Sequence, residues 1–486
     1  MDIEILRESP FEAEAGLLAV GVSGAGGSAL PAVLTERFGP GLAAHLAAES
    51  FTGKAESSLA LPTLGHLPAA QLLLVGLGEG RVEELRAAAG LAGQAARKKG
   101  IERVVLDFSA TAPGTAEAAA IVEGFAIGNY AFDRHKAVAK RKAACATLRL
   151  VLDDAAAPGI AAAQILADAQ AMVRDLVNEP AEVVYPETLA AFAASLQSDH
   201  LEVTVWDERR IEAEGMGGLF AVGKGSARPP RFVHMHYRPT GQVALQVALV
   251  GKGVTFDAGG LSLKPPDGMD TMRCDMAGAA TVIGLMQAID RLGLPAEVHG
   301  IFGAAENMNS GSAYKLGDIL TMYNGATVEV HNTDAEGRLI LADCLAYASR
   351  LGVDYCLDLA TLTGACVVAL GSRYTGLFTE DDELAAQLLA AAETAGDGLW
   401  RLPLAEHFKK QLDADWADTN HMGPRWGGAS IAAAFLSGFV VGPRWAHLDI
   451  AGPAFLEKPE RYYGKGGTGA MLRPVLGWLR GRIGKV

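Results

Sequence analysis

Residues 332–339 carry the side chains whose types and spacing point most directly to chemistry. They read Asn-Thr-Asp-Ala-Glu-Gly-Arg-Leu, so that Asp334, Glu336 and Arg338 occupy every second position. In an extended chain alternate side chains project from one face, and we expect two carboxylates and a guanidinium side by side. Apolar neighbours such as Ala342 indicate burial. Buried carboxylates are costly unless they are paired or bound to a cation, so the segment predicts a metal site.

A second charged group lies in the most glycine-rich part of the chain, residues 251–280. Its charged members are Lys252, Asp257, Lys264 and Asp275. Glycine permits unusual backbone angles and close approach of the backbone to a ligand. Taken singly, Asp275 could be the N-cap of the apolar helix that follows, and Asp257 an ordinary ion-pair partner of Lys252. Together with the carboxylates of residues 332–339, they form a set of four carboxylates and two lysines that packing does not explain.

Carboxylate-rich ligation is typical of hard or borderline divalent cations such as Mn²⁺, Mg²⁺ or Zn²⁺. Four carboxylates can hold two ions about 3.5–4 Å apart, an arrangement that activates water for hydrolysis. The sequence has no His-Glu-x-x-His metalloprotease motif and no Gly-x-Ser-x-Gly nucleophile elbow. Metal-assisted hydrolysis is therefore the predicted reaction class.

The elements around these segments alternate between apolar strands and helices, which predicts an α/β fold. In the first half we expect strands at Leu17–Val22, Leu72–Val75 and Val104–Phe108, and helices at Val82–Lys99 and Thr115–Ala126. In the second half we expect strands at Glu202–Trp206, Arg231–Tyr237, Val243–Val250, Glu297–Ala304, Asp354–Leu359 and Val367–Leu370, and helices at Met276–Leu292 and Gly337–Arg350. Both charged groups then stand where a strand leads into a helix, and ligands of such sheets bind beyond the carboxyl ends of strands.

Chain length predicts two domains, because single cores stop growing well below 486 residues. An Ala-, Gly- and Pro-containing stretch near residue 156 places the boundary between an N-terminal domain, residues 1–156, and a catalytic domain, residues 157–486. We expect a helix at about Ile160–Leu176 to link them.

Composition bounds the function classes. The net charge of −14 disfavours a nucleic-acid partner. The first ten residues lack the apolar core of a secretory signal, and no apolar run reaches membrane-spanning length. The five cysteines show no Cys-x-x-Cys pairing. These features predict a cytoplasmic protein with reduced thiols and no membrane partner.

The charged blocks closely resemble the signature segments of the leucyl aminopeptidases, the two-metal cytosol aminopeptidase family. The matching blocks are residues 251–260, 272–280 and 332–339, with further matches at 174–180, 359–365 and 445–452. The resemblance implies a macro-domain-like N-terminal α/β domain and a catalytic α/β domain with a central mixed sheet between helices. It also implies a homohexamer built from two trimers.

The resemblance further implies a role for each charged residue. One ion, Mn²⁺ or Zn²⁺, would be held by Lys252, Asp257, Asp275 and Glu336, and a second by Asp257, Asp334 and Glu336. A water bridging the ions would attack the peptide. Lys264 would stabilise the oxyanion, and Arg338 would position a bicarbonate ion that acts as general base.

The activity implied is removal of N-terminal residues, preferably Leu or similar apolar residues, from peptides. The residues expected to line the side-chain pocket are Met272, Thr361, Gly364, Ala451 and Ala454, although Met272 could equally be core. Two departures from the family pattern, Glu182 and the Pro424/Trp426 loop, bear on specificity or assembly. A Cys-Gly-type dipeptidase in peptide or glutathione turnover is the alternative function, and a DNA-binding regulator is a second one that the charge disfavours.

Overall fold

The computed structural model describes residues 1–24 and 30–484, which form two compact units. The first unit contains Met1–Ala171 and Glu457–Lys465, and the second contains Met172–Leu456 and Gly466–Val486. Both units are α/β, as predicted, and both main sheets are mixed. Within these described ranges, no helix is long and apolar enough to cross a bilayer. The division predicted at residue 156 stays a prediction.

The first unit is built on a six-stranded sheet. Its strands are β1 (Asp2–Ile5), β2 (Leu17–Ser23), β3 (Ser58–Pro62), β4 (Gln71–Gly78), β5 (Arg103–Asp107) and β6 (Thr147–Leu150). Their order is β1-β6-β5-β2-β4-β3, and all neighbours are parallel except β3 and β4. The three strands predicted in this half are thus confirmed, each within two or three residues of its expected ends.

The helices of the first unit are α1 (Ala32–Phe38), α2 (Pro40–Ala48), α3 (Val82–Lys99), α4 (Thr115–Asn129) and the start of α5 (Ala157–Asn178). Helix α3 has the predicted bounds because its ends carry strong local signals. The Glu84 carboxylate accepts from the Arg81 backbone N–H, and acidic residues fill the first turn while basic residues fill the last. Gly100 then ends the helix in the left-handed conformation.

The second unit is built on an eight-stranded sheet. Its strands are β7 (Leu201–Trp206), β8 (Arg231–Tyr237), β9 (Gln246–Asp257), β10 (Glu297–Asn307), β13 (Tyr355–Ala360), β14 (Tyr374–Phe378), β15 (Gly398–Arg401) and β17 (Arg444–Asp449). The order is β15-β14-β17-β13-β9-β10-β8-β7. The four central strands β17, β13, β9 and β10 run parallel, so their carboxyl ends meet at one edge.

Short strands and helices complete the second unit. The strands are β11 (Ile319–Thr321), β12 (Thr327–Glu329), β16 (Thr419–Asn420), β18 (Phe455–Leu456) and β19 (Gly466–Gly467). The helices are α6 (Pro186–Ala194), α7 (Glu208–Ala213), α8 (Gly217–Gly223), α9 (Pro266–Met269), α10 (Ala277–Leu292), α11 (Glu336–Ser349), α12 (Gly364–Leu370), α13 (Asp382–Ala395), α14 (Glu406–Lys409), α15 (Gly428–Ser437) and α16 (Leu472–Ile483).

Helices α10 and α11 cover opposite faces of the central strands. A Cβ on Gly300 of β10 would touch Met286 of α10, whereas one on Gly303 would touch Ile340 of α11. Because successive strand residues face opposite sides, both faces of β9 and β10 must be apolar, and nearly every residue of the two strands is buried. This covering fixes the strand ends that carry the charged residues.

Two sequence predictions are wrong. Val367–Leu370 is not a strand but the end of helix α12, because the Thr363 hydroxyl caps the helix by accepting from the Cys366 backbone N–H. The apolar valines suggested a strand, but the cap and the small residues before them start a helical turn. Residues 334–338 are likewise not extended, since Glu336 is the first residue of α11.

Candidate metal centre

The charged residues gather where the parallel strands end. β9 ends at Asp257 and β10 at Asn307, which are register partners. β13 ends at Ala360, directly before Thr361, and its register partner is Asp449 at the end of β17. The carboxyl ends of neighbouring parallel strands therefore supply one concentrated set of polar side chains, as expected for an α/β sheet.

Lys252 lies inside β9 and forms one half of the cluster. Its Nζ is 2.8 Å from Asp275 Oδ1 and 2.9 Å from Glu336 Oε1, and it donates to the Thr361 carbonyl oxygen at 2.9 Å. All three side chains are buried. Asp275 does not cap α10, whose N-cap is Met276 without a side-chain cap. The ordinary N-cap interpretation of Asp275 is therefore wrong.

Lys264 forms the other half. Its Nζ lies 2.9 Å from Asp257 Oδ2 and 2.5 Å from Asp334 Oδ1. Asp257 thus pairs with Lys264, not with Lys252 as the ordinary ion-pair interpretation would have it. Gly259 supports this loop with a positive φ of 85° and donates its N–H to Asp257 Oδ1 at 2.8 Å.

A turn followed by the start of α11 presents Asp334 and Glu336. The Asn332 side chain accepts from the Asp334 N–H at 2.9 Å, which shapes the turn. One residue further into the helix, Gly337 leaves room for the lysine: a Cβ there would lie 2.4 Å from Lys252 Cε. Glu336 therefore supplies a carboxylate to the cluster, and Gly337 leaves space for the Lys252 amine that contacts it.

The cluster fits metal ions by two observations. Ligand oxygens of Asp257, Asp334 and Glu336 all lie within 4.8 Å of one another. Asp275 Oδ2 and Glu336 Oε2 are buried and have no hydrogen-bond partner among residues 1–24 and 30–484. A buried carboxylate oxygen without a donor is costly, and a divalent cation is the partner that carboxylates of this kind accept.

The charge balance points the same way. Two lysines offset only two of the four carboxylates. Burial, followed by the charge of Glu336, raises the pKa of Asp257 to about 6, and burial raises the pKa of Asp275 and of Asp334. Burial disfavours the Lys252 ammonium, but the carboxylates of Asp275, Glu336 and Asp257 outweigh it and raise the pKa of that amine. The protein-only site thus attracts positive charge, which protons or metal ions supply.

Asn307 and Thr333 hold this arrangement in place and were not singled out from the sequence. Asn307 donates from Nδ2 to Asp257 Oδ1 at 2.8 Å and to the Thr333 carbonyl oxygen at 2.9 Å. The Thr333 hydroxyl donates to the Gly259 carbonyl oxygen at 2.7 Å. The polar Asn307 at the end of an apolar strand was the one sequence signal for this role.

Arg338 is buried in the first turn of α11, two residues after Glu336. Its Nη1 donates to the His421 backbone carbonyl oxygen at 2.6 Å. Burial lowers the pKa of its guanidinium to about 10, so the group stays charged at neutral pH. His421, which the sequence did not mark as functional, lies three residues before Pro424 in the loop that departs from the family pattern. Its Nε2 is 2.8 Å from the Asn332 carbonyl oxygen.

The predicted pocket residues lie on the loops around the cluster. Thr361 contacts it directly, because its hydroxyl donates to Asp275 Oδ1 at 2.7 Å. Asp449 joins the loops of Gly364 and Ala451: its carboxylate accepts from the Thr363 hydroxyl at 2.7 Å and from the Ala451 N–H at 3.1 Å. Met272 is in a half-buried 3₁₀ turn before Asp275, and Ala454 is buried beyond β17. Their contact with substrate stays a prediction.

The two departures from the family pattern have defined surroundings. Glu182 pairs with Arg228 at 2.7 Å, and that guanidinium lies over the Tyr185 ring and also pairs with Glu306. Trp426 is 78% exposed. Neither residue contacts the carboxylate cluster through any interaction recorded among the described residues.

Sequence comparison decides the family. Residues 171–476 match the model of the cytosol aminopeptidase family, catalytic domain, and residues 19–138 match that family's N-terminal domain. The chain belongs to the cytosol aminopeptidase family. A probable cytosol aminopeptidase of Aquifex aeolicus is 44% identical over 89% of this chain and 88% of its own length. Another, from Roseiflexus castenholzii, is 40% identical over 99% of both chains.

Solved structures agree with this assignment. The bottromycin maturation enzyme BotP in complex with Mn is 37% identical, with a TM-score of 0.85 over 96% of this chain and 99% of its own. A tomato leucine aminopeptidase mutant is 32% identical, with a TM-score of 0.88 over 99% and 96% of the two chains. This cytosol aminopeptidase family member is a metal-dependent exopeptidase that removes N-terminal residues from peptides.

Proposed function

We propose that the aminopeptidase reaction takes place at the carboxylate cluster, with two divalent ions. One would be held by Lys252, Asp257, Asp275 and Glu336, and the other by Asp257, Asp334 and Glu336. The observation that carries this proposal is the pair of buried, unpartnered oxygens, Asp275 Oδ2 and Glu336 Oε2, within a cluster of excess negative charge. The ions would supply Lewis acidity and an activated water.

Mn²⁺ or Zn²⁺ are the metals we propose, because both accept carboxylate and nitrogen ligands. The similar BotP structure contains Mn, which favours Mn²⁺. As a ligand, Lys252 must be a neutral amine, so cation binding at this site would release its proton. The two neighbouring cations would reverse the field that now raises its pKa.

Lys264 and Arg338 would act on the substrate side. Lys264 is partly exposed, whereas Lys252 is buried. We therefore propose that the Lys264 ammonium stabilises the oxyanion that forms at the scissile carbonyl. Arg338 keeps its charge and would position bicarbonate, the general base of the reaction. Its hydrogen bond to the His421 carbonyl uses Nη1 and leaves Nε without a partner in the described part of the chain.

For the first substrate residue we propose an apolar side chain such as Leu, contacted by Met272, Thr361, Gly364, Ala451 and Ala454. Small and apolar residues dominate this set, and an apolar pocket separates similar aliphatic side chains by only about 1–3 kcal/mol. Broad specificity is therefore expected. A Cys-Gly-type dipeptidase activity would use the same ions, but the pocket would prefer a different first residue.

We further propose that the enzyme works in the cytoplasm as a homohexamer. All five cysteines are buried and free, which suits a reducing compartment. Several large apolar side chains of the second unit are exposed, among them Trp416, Trp426 and Val368. Tryptophan is also enriched in the interfaces between protein chains.

Metal reconstitution tests the proposal. Chain stripped with a chelator should lose hydrolysis of a Leu-anilide, and added Mn²⁺ or Zn²⁺ should restore it. Glu336→Gln should fail to recover, since it removes a carboxylate that would help to hold both ions. Arg338→Ala should bind metal normally and turn over more slowly, and bicarbonate in the buffer should stimulate the wild type but not this variant.

Each result separates one part of the proposal from another. Full activity in Glu336→Gln would remove the site assignment. Cleavage of Cys-Gly and other dipeptides without cleavage of Leu-anilide would keep the mechanism and change the substrate class. Arg338→Ala that responds to bicarbonate as the wild type does would remove the general-base role.

A further inference from the structure

Three histidines lie together on the eight-stranded sheet, outside the carboxylate site. His234 and His236 are two residues apart on β8, so both project from the same face. His299 of β10 is the register partner of His236, and Glu297 stands two residues before it on the same face. The fold therefore sets three imidazoles and a carboxylate side by side.

The side chains are in direct contact. His234 Nε2 and His299 Nδ1 are 2.9 Å apart, and His236 Nε2 is 2.6 Å from Glu297 Oε1. The His236 and His299 rings have centroids 4.1 Å apart, and one ring nitrogen of each histidine lies within 4.8 Å of the others. The chain thus presents three nitrogen donors in a space that a single ion could bridge, with a carboxylate hydrogen-bonded to one of the rings.

The position between His234 and His299 is the one that an ion would most readily occupy. The 2.9 Å contact between His234 and His299 contains a single shared proton if both rings are neutral. Two nitrogens bound to one tetrahedral Zn²⁺ with bonds of about 2.0–2.1 Å are separated by about 3.3 Å. An ion in place of the shared proton therefore requires these two rings to separate by a few tenths of an ångström and to turn their lone pairs toward a common point.

The second contact of His234 also suits a ligand. Its Nδ1 is 3.1 Å from the Tyr347 hydroxyl on α11. A metal-bound imidazole usually donates its other N–H to an oxygen, which fixes the ring orientation. If Nε2 binds the ion, Nδ1–H donates to the tyrosine oxygen, so the supporting partner is already in place.

Charge and access favour a cation as well. Burial and the neighbouring His236 lower the pKa of His234 to about 4 and that of His299 to about 3, so both rings are neutral at pH 7 and offer a lone pair. Glu297 contributes a negative charge in contact with the His236 ring. The His236 and Glu297 side chains are 14% and 23% exposed, which leaves a path from solvent.

We propose that His234, His236 and His299, with Glu297 hydrogen-bonded to His236, form a second metal site for Zn²⁺ or a similar borderline cation. Three imidazoles select Zn²⁺, Ni²⁺ or Cu²⁺ rather than Mg²⁺ or Ca²⁺. The site joins β8 to β10 and so braces one side of the sheet. It is separate from the carboxylate cluster, because His299 precedes Asn307 by eight residues on β10, roughly 26 Å of strand.

Elemental analysis of the whole enzyme tests the site. Mn²⁺-loaded chain is equilibrated with Zn²⁺, freed of unbound metal, and its total bound Mn plus Zn per chain is measured. The wild type should retain one ion more than the double variant His236→Asn/His299→Asn. The exposed His45 provides the matched control, and His45→Asn should retain as many ions as the wild type. The difference between chains decides the test, so it holds whatever number of ions the carboxylate cluster binds.

Thermal unfolding gives a second readout. Added Zn²⁺ should raise the unfolding temperature of the Mn²⁺-loaded wild type and of His45→Asn, and not that of the single variant His236→Gln. His236→Gln should also hydrolyse Leu-anilide at the wild-type rate, which shows that it is folded. Equal ion counts in wild type and double variant would mean that the histidines form only a hydrogen-bonded network and would overturn the proposal. An equal Zn²⁺ response in His236→Gln would overturn it too.

Discussion

At the residue scale, the carboxylate cluster depends on neighbours that never touch a metal ion. Asp257 is oriented by two donors, the Gly259 N–H and Asn307 Nδ2, both at 2.8 Å from Oδ1. These bonds leave Oδ2 directed at Lys264. Groups that orient metal ligands in this way influence metal affinity and activity without binding the ion themselves.

Asn307→Ala tests this orienting role. Loss of the amide donor frees Asp257 to rotate, and we expect metal affinity or activity to fall about 10- to 100-fold, the usual effect of losing such a partner. The exposed Asn324, which caps only its own turn, is the control, and Asn324→Ala should stay near wild type. Metal titration followed by the Leu-anilide assay measures both effects. Wild-type metal affinity and rate in Asn307→Ala would show that the Gly259 N–H alone suffices.

The sequence identified every charged member of the cluster, yet not the bonds that hold it. Asp257, Asp275, Asp334 and Glu336 stood out because carboxylates are rare in apolar, glycine-rich surroundings. Asn307, Thr333 and His421 did not, because each acts through a partner 26 to 83 residues away in the chain. Such pairs become visible only when the strand ends are placed beside one another.

At the element scale, the strands and helices around the site were largely predictable, because both faces of the central sheet are buried and read as long apolar runs. The failures have local causes. Val367–Leu370 became part of α12 through the Thr363 cap, and β17 was not predicted at all. Its sequence mixes arginine, tryptophan, histidine and aspartate, and Trp445 and His447 are buried with Asp358, which accepts from Trp445 Nε1 and contacts His447 Nδ1.

The start of α11 supplies a prediction about packing. Alanine normally stabilises a helix by about 0.5–1 kcal/mol over glycine. In Gly337→Ala, however, the new Cβ would lie 2.4 Å from Lys252 Cε and 2.7 Å from its Nζ, so the lysine must leave its contacts with Asp275 and Glu336. We therefore expect loss of metal retention and activity, measured by elemental analysis and Leu-anilide hydrolysis.

Gly477 of α16 is the matched control, since a Cβ there meets nothing within 4 Å. Gly477→Ala should keep full activity. Its free energy of unfolding should rise by about 0.4–1 kcal/mol, so that it unfolds at a temperature at least as high as the wild type does. A Gly337→Ala chain with normal metal content would show that Lys252 is not held where the structure places it.

Helix α13 supplies a prediction about pH. Its N-cap Asp381 accepts from the Leu384 N–H and from Arg444 Nη2 at 2.7 Å, and the Arg444 hydrogen bond lowers the pKa of this carboxyl to about 2. The stabilisation is fully present above the unfolded value of about 3.9 and is lost as the pH falls toward 2. Because the pair is part-exposed, solvent screening limits it to about 1 kcal/mol.

Asp381→Asn isolates this charge, since asparagine is an equally good N-cap. Its unfolding temperature should lie below that of the wild type at pH 7, and the gap should narrow as the pH is lowered from 5 to 3. Asp382→Asn removes the same charge at a neighbouring position that is 90% exposed, where the ion pair with Arg401 is screened by solvent, and should show a much smaller gap. A gap in Asp381→Asn that stays constant with pH would contradict the ion-pair account.

At the scale of the whole molecule, the surface of the second unit carries several large apolar side chains that are strongly exposed. Val368 is 90% exposed, and Trp416 and Trp426 are each more than three-quarters exposed. Tryptophan is enriched at the centre of interfaces because it buries a large area at a small entropic cost. These residues are the natural candidates for contacts between copies of the chain.

We expect a hexamer of two trimers, and size-exclusion chromatography with light scattering should give six chain masses. The double variant Trp416→Ser/Trp426→Ser should elute as a smaller species if these side chains are buried between subunits, because each change removes a large apolar contact and leaves the metal cluster untouched. Trp400→Ser, at another exposed tryptophan, is the control, since it shows whether loss of any surface tryptophan gives a smaller species. A wild-type chain that runs as a monomer at micromolar concentration would exclude the hexamer. The apolar surface would then need a different partner to cover it.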